Sequence, residues 1–231
     1  MAAIKCSNLT KRYGRTTALQ GVNLELMPGR IIGLAGPNGS GKTTLIKLAQ
    51  HLLVPTEGEI LIQDQAPGAQ TKSHVAYLPD RDFLPDWMNV DGLMKFQESF
   101  FDDFDRGSAE LMLTNLGIDR KMAFKKMSKG TREKVQLILT MSRKADVYLL
   151  DEPIAGVDPA ARDYIIRTII SNYNPDALVL ISTHLITDIE PVLDEVVFLK
   201  NGQVVLHENA DDLRTRVNMS VDEYFREVFK C

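Results

Sequence analysis

Short apolar runs rich in β-branched residues recur at positions 31–35, 75–78, 147–150, 178–182 and 196–199, and stretches with helical spacing separate them. Uninterrupted apolar runs of this length fit strands covered on both faces, and their alternation with helices is the chain order of a parallel sheet. An α/β fold is therefore expected. Ahead of the first run, 4–9 and 19–26 read as strands with a turn at 11–14, and 58–63 as a further edge segment. Together they predict an antiparallel β layer flanking the core. From about 91 to 139 the strand signal disappears and helical spacing takes over, with Leu93, Phe96, Phe100, Leu111, Leu113 and Leu116 as the expected apolar faces. The run Phe100-Phe101-Asp102-Asp103-Phe104-Asp105 reads as a solvated helix end with buried rings. Asp158-Pro159 has the form of an N-cap followed by a first-turn proline, and Asn201-Gly202 between apolar segments that of a hairpin turn. The expected organisation is one domain over 1–231, in which 1–82 and 140–231 form the α/β core with its β layer and 83–139 an inserted helical lobe.

With 231 residues, 44% of them hydrophobic, the chain can bury a full core. A formal net charge of −4 argues against a broad basic surface, so no nucleic-acid partner is expected. No apolar window approaches the roughly 18 residues of a membrane span, and the first residues lack an apolar signal core, so a cytoplasmic chain is expected. Cys6 and Cys231 stand at opposite ends and read as free thiols in a reducing compartment.

The segment Gly36-Pro37-Asn38-Gly39-Ser40-Gly41-Lys42-Thr43-Thr44 follows the run 31–35 directly and precedes the helical pattern Leu45-Ile46-Lys47-Leu48-Ala49. This strand–loop–helix setting is what a phosphate-binding loop requires. Its glycines let backbone N–H groups converge on phosphate oxygens where a Cβ would obstruct them. Lys42 brings a point charge to the β- and γ-phosphates, Thr43 a hydroxyl ligand for Mg²⁺, and the following helix its positive end. The residues imply a nucleoside triphosphate ligand. No Asn-Lys-x-Asp base-reading motif is present, which argues against a regulatory GTPase.

Val147-Tyr148-Leu149-Leu150-Asp151-Glu152 ends a buried-strand pattern in two carboxylates, and ligands of open α/β sheets sit at strand C-termini. Asp151 is placed to hold Mg²⁺, directly or through water, and Glu152 to polarise an attacking water. Between loop and carboxylates, Met127-Ser128-Lys129-Gly130-Thr131-Arg132 opens a helix with Ser128 at its N-cap, and read alone it is only a helix start. Further on come Ala155-Gly156-Val157-Asp158 and Ser182-Thr183-His184. In this order the pieces resemble the ATP-binding subunit of the ABC transporter family, over nearly the whole chain.

The resemblance implies an α/β phosphate-loop NTPase core, ATP and Mg²⁺ as cofactors, and two composite sites in a homodimer or heterodimer of such subunits. Tyr13, in Lys11-Arg12-Tyr13-Gly14, matches the aromatic that stacks on adenine. Ser128, Lys129, Gly130 and Thr131 occupy the signature motif, which in the family contacts the nucleotide of the opposite subunit. Asp158 matches a loop residue linking the two sites, and His184 the switch histidine at the γ-phosphate, beside the catalytic Glu152. The implied partner is a transmembrane permease on a separate chain, with this subunit peripheral on the inner face of the membrane.

Two departures stand out. Lys129 replaces the first of the family's two adjacent signature glycines and is expected to face solvent, while the second, Gly130, is kept. Asp80, in Tyr77-Leu78-Pro79-Asp80-Arg81, replaces the glutamine that senses metal and γ-phosphate; a carboxylate there can serve as a metal ligand but has no amide donor. The aromatic stretch 83–90 corresponds to the groove that receives a short helix from the membrane subunit, and the same side chains suit packing at the base of the lobe. With only short helices expected after Asn209, the chain looks most like bacterial exporter subunits for drugs, peptides or lipids. The rival reading is a soluble ABC ATPase of DNA repair or translation, which usually carries two cassettes, a coiled-coil insertion or basic surfaces.

Overall fold

The computed structural model describes residues 1–155 and 159–230, and the side chains of all of these except 159–161. The strands are β1 (Ile4–Tyr13), β2 (Thr16–Leu26), β3 (Arg30–Ala35), β4 (Glu57–Ile62), β5 (Val75–Leu78), β6 (Val147–Asp151), β7 (Leu178–Thr183), β8 (Glu195–Lys200) and β9 (Gln203–Asn209). The helices are α1 (Lys42–Ala49), α2 (Ala69–Lys72), α3 (Val90–Phe100), α4 (Arg106–Asn115), α5 (Lys129–Met141), α6 (Pro159–Asn172), α7 (Ile186–Ile189), α8 (Ala210–Val217) and α9 (Val221–Val228). Six strands form one sheet in the order β5-β6-β7-β3-β8-β9, parallel up to β8, and β2-β1-β4 form a separate antiparallel sheet. This is the expected α/β core with a β layer.

Every residue of β6 and β7 is buried, which is why those strands read as continuous apolar runs. Their side chains alternate between two apolar layers. Tyr148, Leu150, Val179 and Ile181 pack with Leu137 and Met141 of α5 and Ile165 and Ile169 of α6. Val147, Leu149, Leu178 and Leu180 face the other way, onto Leu45, Ile46 and Leu48 of α1 and onto the antiparallel sheet. Burial there pushes the Cys6 thiol up to about 12, so it stays protonated and unreactive. Cys231 lies outside the described residues. Leu84, Leu93, Met94, Met112, Leu113, Phe124 and Val135 belong to a third apolar cluster, drawn entirely from residues between 84 and 139.

Several local expectations are corrected. β1 runs on through Lys11–Tyr13, and the turn is the pair Gly14-Arg15, because Arg12 and Tyr13 still pair with Thr17 and Thr16. On α3 the buried positions are Val90, Leu93, Met94 and Gln97, a spacing that fixes the inward face and leaves Phe100 66% exposed, ring against Phe96 at 4.7 Å. Phe96 is likewise exposed. On α4, Ala109, Met112 and Leu113 turn inward and Leu111 is 63% exposed. Leu93 and Leu113 are buried as expected, and Leu116 packs against the same cluster. In the stretch 83–90, Leu84, Met88 and Val90 pack into the third apolar cluster, whereas Phe83 and Trp87 are exposed. Asn201 and Gly202 have φ of 50° and 78°, the values of a two-residue hairpin turn joining β8 to β9.

The acidic run after α3 is more than a solvated end. Asp105 caps α4 by accepting from the Ser108 N–H at 3.0 Å, and Asp103 meets Arg143, a guanidinium buried just past α5. Arg143 donates through Nε and Nη2 to both Asp103 oxygens, at 2.8 and 2.9 Å. It also donates to the carbonyls of Val75 and Ser73 and stacks on the Phe101 ring, 3.7 Å from its centroid. One planar cation thus ties the α3–α4 connection to β5. Removing one partner of a buried pair leaves the other charge uncompensated. We expect Asp103→Asn, which leaves that buried guanidinium without its counter-charge, to lower the unfolding free energy by about 3–5 kcal/mol, and Arg143→Leu, which strands the Asp103 carboxylate and the Val75 and Ser73 carbonyls, by a similar amount, as read from urea denaturation.

Candidate nucleotide-binding site

β3 delivers the chain to the loop 36–41, and α1 starts at Lys42. A Cβ on Gly36 would come within 2.3 Å of the Leu199 carbonyl and 2.5 Å of Ser40 Oγ, so only glycine lets the loop close there. Gly41 at the N-cap offers no side-chain cap, which leaves the first-turn N–H groups of α1 facing the loop. From behind, the hairpin tip supports the loop: the Gly202 N–H donates to the Ser40 carbonyl at 3.0 Å, and the Gln20 N–H to the Gly202 carbonyl at 2.9 Å. A Cβ on Gly202 would meet the Ala18 carbonyl at 2.7 Å.

Lys42 is only 5% exposed; its Nζ donates to the Gly36 carbonyl at 2.7 Å and the Pro37 carbonyl at 3.3 Å, and lies 3.5 Å from Glu152. At the adjacent strand ends Asp151, fully buried, accepts on Oδ1 from Ser182 Oγ at 2.6 Å and from Thr43 Oγ1 at 3.1 Å. Its Oδ2 is buried without a hydrogen-bond partner. Burial raises the Asp151 carboxyl above the usual range; the two hydroxyl bonds oppose this, and the charges of Asp80 and Glu152 add to it. Glu152 follows at φ 53°, a left-handed conformation rare outside glycine. That turn brings its carboxylate to His184 Nδ1, at 2.9 Å.

A cavity of ≈ 470 Å³ takes in the loop and first helical turn from Asn38 to Thr44, together with Asp80, Glu152 and His184. The sequence-derived groups for phosphate, water and γ-phosphate therefore share one space. A second cavity of ≈ 320 Å³ continues past Asp80 and Glu152 to Lys129, Arg132 and Gln136 on α5. Tyr13, Ser128, Gly130 and Thr131 line neither cavity. Tyr13 is exposed at the end of β1, with Lys11 Nζ 5.4 Å from its ring centroid. Ser128 caps α5 as expected, accepting from the Thr131 N–H at 3.2 Å, and Lys129 projects to solvent with Glu133 at 3.8 Å. Asp158 lies outside the described residues.

The donor set fits Mg²⁺. Asp151 has a buried carboxylate oxygen without a partner, and the Thr43 hydroxyl, its proton given to the other oxygen, keeps lone pairs free, so the two residues supply hard oxygen donors. Among the described residues no three carboxylate, imidazole or thiol groups gather to hold an ion. Ser182 belongs to the Ser182-Thr183-His184 segment, and nothing in the sequence marks it for a role of its own. Its importance follows from the Asp151–Ser182 pairing of β6 and β7, which no local pattern announces.

Fold and site together define a nucleotide-binding α/β protein of the phosphate-loop class. Residues 19–155, more than half of the chain, match the ABC transporter family. The ABC transporter ATP-binding protein YtrB of Bacillus subtilis is 26% identical over 229 residues, 95% of this chain and 77% of that protein. The bacitracin transport ATP-binding protein BcrA of Enterococcus faecalis is 27% identical over 228 residues, 92% of this chain and 71% of that one. A solved ATP-binding subunit of an ABC transporter shares the fold with a TM-score of 0.86 at 24% identity, over 99% of this chain and 100% of the other. The chain belongs to the ABC transporter family.

Burial and the charges of Asp80 and Glu152 disfavour the charged Asp151 carboxylate, so with a chelator present Asp151→Asn, which removes that charge, is expected to raise the melting temperature by about 2–4 °C per kcal/mol recovered. Mg²⁺ with nucleotide is expected to stabilise the native chain more than the variant, as differential scanning fluorimetry would record.

Proposed function

We propose that the chain is the ATP-hydrolysing subunit of an ABC transporter, dimerising around two Mg·ATP to drive a separately encoded membrane permease. The observation that carries this reading is Glu152, held 2.9 Å from His184 and 3.5 Å from Lys42 in the cavity of the phosphate loop. Lys42 and the loop N–H groups receive the β- and γ-phosphates. Phosphate entering the loop competes with Glu152 for the same ammonium, freeing the carboxylate to polarise water. Thr43 and Asp151 would hold Mg²⁺, which would supply positive charge to neutralise the phosphate oxygens. His184 orients Glu152 and reaches the γ-phosphate, and Asp80, exposed at the cavity edge, takes the place of the metal-sensing glutamine.

Tyr13 stacks on adenine in this reading, and Ser128, Gly130 and Thr131, with Lys129 beside them, face the nucleotide of the opposite subunit. Support comes from their position at an exposed helix start, with nothing within 4 Å of a Cβ placed on Gly130. Asp158 links the two sites. Residues 83–139 act as one lobe, consistent with their common apolar cluster. Between lobe and core an apolar cleft of ≈ 290 Å³, lined by Leu52, Tyr77, Phe83, Phe101 and Leu139, suits a short helix of the permease. As an ABC transporter subunit it works peripherally, on the inner face of the membrane, in this reading; among the described residues no helix is long and apolar enough to cross a membrane. Relatives named for bacitracin and lantibiotic transport favour export of a drug, peptide or lipid over a role in DNA repair or translation.

Glu152→Gln is expected to retain ATP binding and ATP-driven dimerisation while losing turnover by roughly 10²–10⁴-fold; normal hydrolysis by this variant would refute the assignment. Lys42→Ala is expected to weaken nucleotide binding by roughly 10–100-fold, from about 1.5–3 kcal/mol of charged hydrogen bonding, which isothermal titration can measure. A gentle-detergent pull-down of the tagged chain should bring down a polytopic membrane protein, and recovery of soluble proteins alone would overturn the transporter reading.

A further inference from the structure

Ser182 ends an all-apolar run, Leu178-Val179-Leu180-Ile181, on a central strand and has no exposed surface. A hydroxyl buried in that setting is costly unless both its proton and its lone pairs are used. Here they are. Ser182 Oγ donates to Asp151 Oδ1 at 2.6 Å. The Glu152 N–H has only a proton to give, so Ser182 Oγ accepts from it at 3.0 Å, alongside the Ser182 carbonyl at 3.1 Å. One side chain touches the two acidic residues in opposite senses.

The consequences at the two carboxylates differ. With Thr43 also donating to Oδ1, the Ser182 bond fixes the rotation of the Asp151 carboxyl and leaves Oδ2 as its free oxygen. At Glu152 the bond restrains the N–H of a residue at φ 53°, a conformation a non-glycine residue adopts at a cost of roughly 1–2 kcal/mol. That conformation directs the Glu152 side chain to His184 and Lys42. Parallel pairing makes the arrangement possible, since Asp151 and Ser182 are direct partners across β6 and β7.

We propose that Ser182 is a positioning residue for the whole acidic pair: its hydroxyl aims Asp151 at the metal and, through the same oxygen, holds the backbone turn that places Glu152. The inference rests on the ATPase reading above and deepens it, since it makes metal binding and placement of the water-polarising group depend on one side chain.

The test compares the native chain with Ser182→Ala, Ser182→Cys and Ser182→Thr, using Mn²⁺ as a spectroscopic probe with a non-hydrolysable ATP analogue. Ser182→Cys keeps the volume with a much weaker donor, and Ser182→Thr keeps the hydroxyl. Outer partners of metal ligands typically contribute 10–100-fold in metal affinity. Electron paramagnetic resonance is therefore expected to show Mn²⁺ held roughly 10–100-fold more weakly in the Ala and Cys variants. Nucleotide affinity in chelator should stay within about twofold of the native chain, because the loop of P-loop type binds phosphate through its own N–H groups and Lys42. Ser182→Thr is expected to recover native Mn²⁺ affinity. Native Mn²⁺ affinity in either hydroxyl-free variant would overturn the proposal. So would a parallel loss of metal-free nucleotide affinity that Ser182→Thr does not restore, which would mark a merely structural role. Should the native chain itself bind neither nucleotide nor Mn²⁺, the ATPase reading fails first, a result distinct from both.

Discussion

Three adjacent parallel strands finish level with one another, and the site depends on that register. Ala35 pairs with Thr183 and Asp151 with Ser182, so the phosphate loop, the acidic pair and the segment leading to His184 leave the sheet at one height. A slip of one residue between β6 and β7 would send Asp151 to the opposite face of the sheet, among the apolar side chains of α5 and α6. Burial of every side chain in both strands specifies the register strongly, because any slip would carry the wrong set into each layer. The chemistry is placed by the packing of residues that take no part in it.

The site carries a visible strain. Among the described residues Lys42 is the buried cation of the site, 3.5 Å from Glu152, and the Asp151 carboxyl is pushed towards its neutral form chiefly by burial. Glu152 occupies a backbone region that disfavours side chains. Such features lower stability locally and persist where the surrounding structure fixes them, which is a common signature of a site prepared for a charged ligand.

Much of this was legible in the chain. The core strands at 31–35, 75–78, 147–150, 178–182 and 196–199 announced themselves because burial on both faces removes polar residues altogether. The phosphate loop announced itself because its backbone tolerates few residues. Weaker signals failed where a residue's role depends on something distant. Phe96, Phe100 and Leu111 have suitable chemistry for a core but the wrong phase on their helices, which only the observed partners reveal. Asp103 gave no sign of its bond to Arg143, forty positions away. The left-handed turn at Glu152 and the double duty of Ser182 have no sequence signature, since each is imposed by a neighbouring strand.

The hairpin tip gives a last consequence. Gly202 lies far along the chain from the loop, yet its N–H holds the Ser40 carbonyl, and a Cβ added to it would collide with the Ala18 carbonyl. Any side chain there must push β2 away and tug the loop with it. In a saturation screen for function, position 202 will therefore behave as though it were part of the binding loop. A map of intolerant positions drawn along the chain will show an outlying point whose cause is contact and not ligand chemistry.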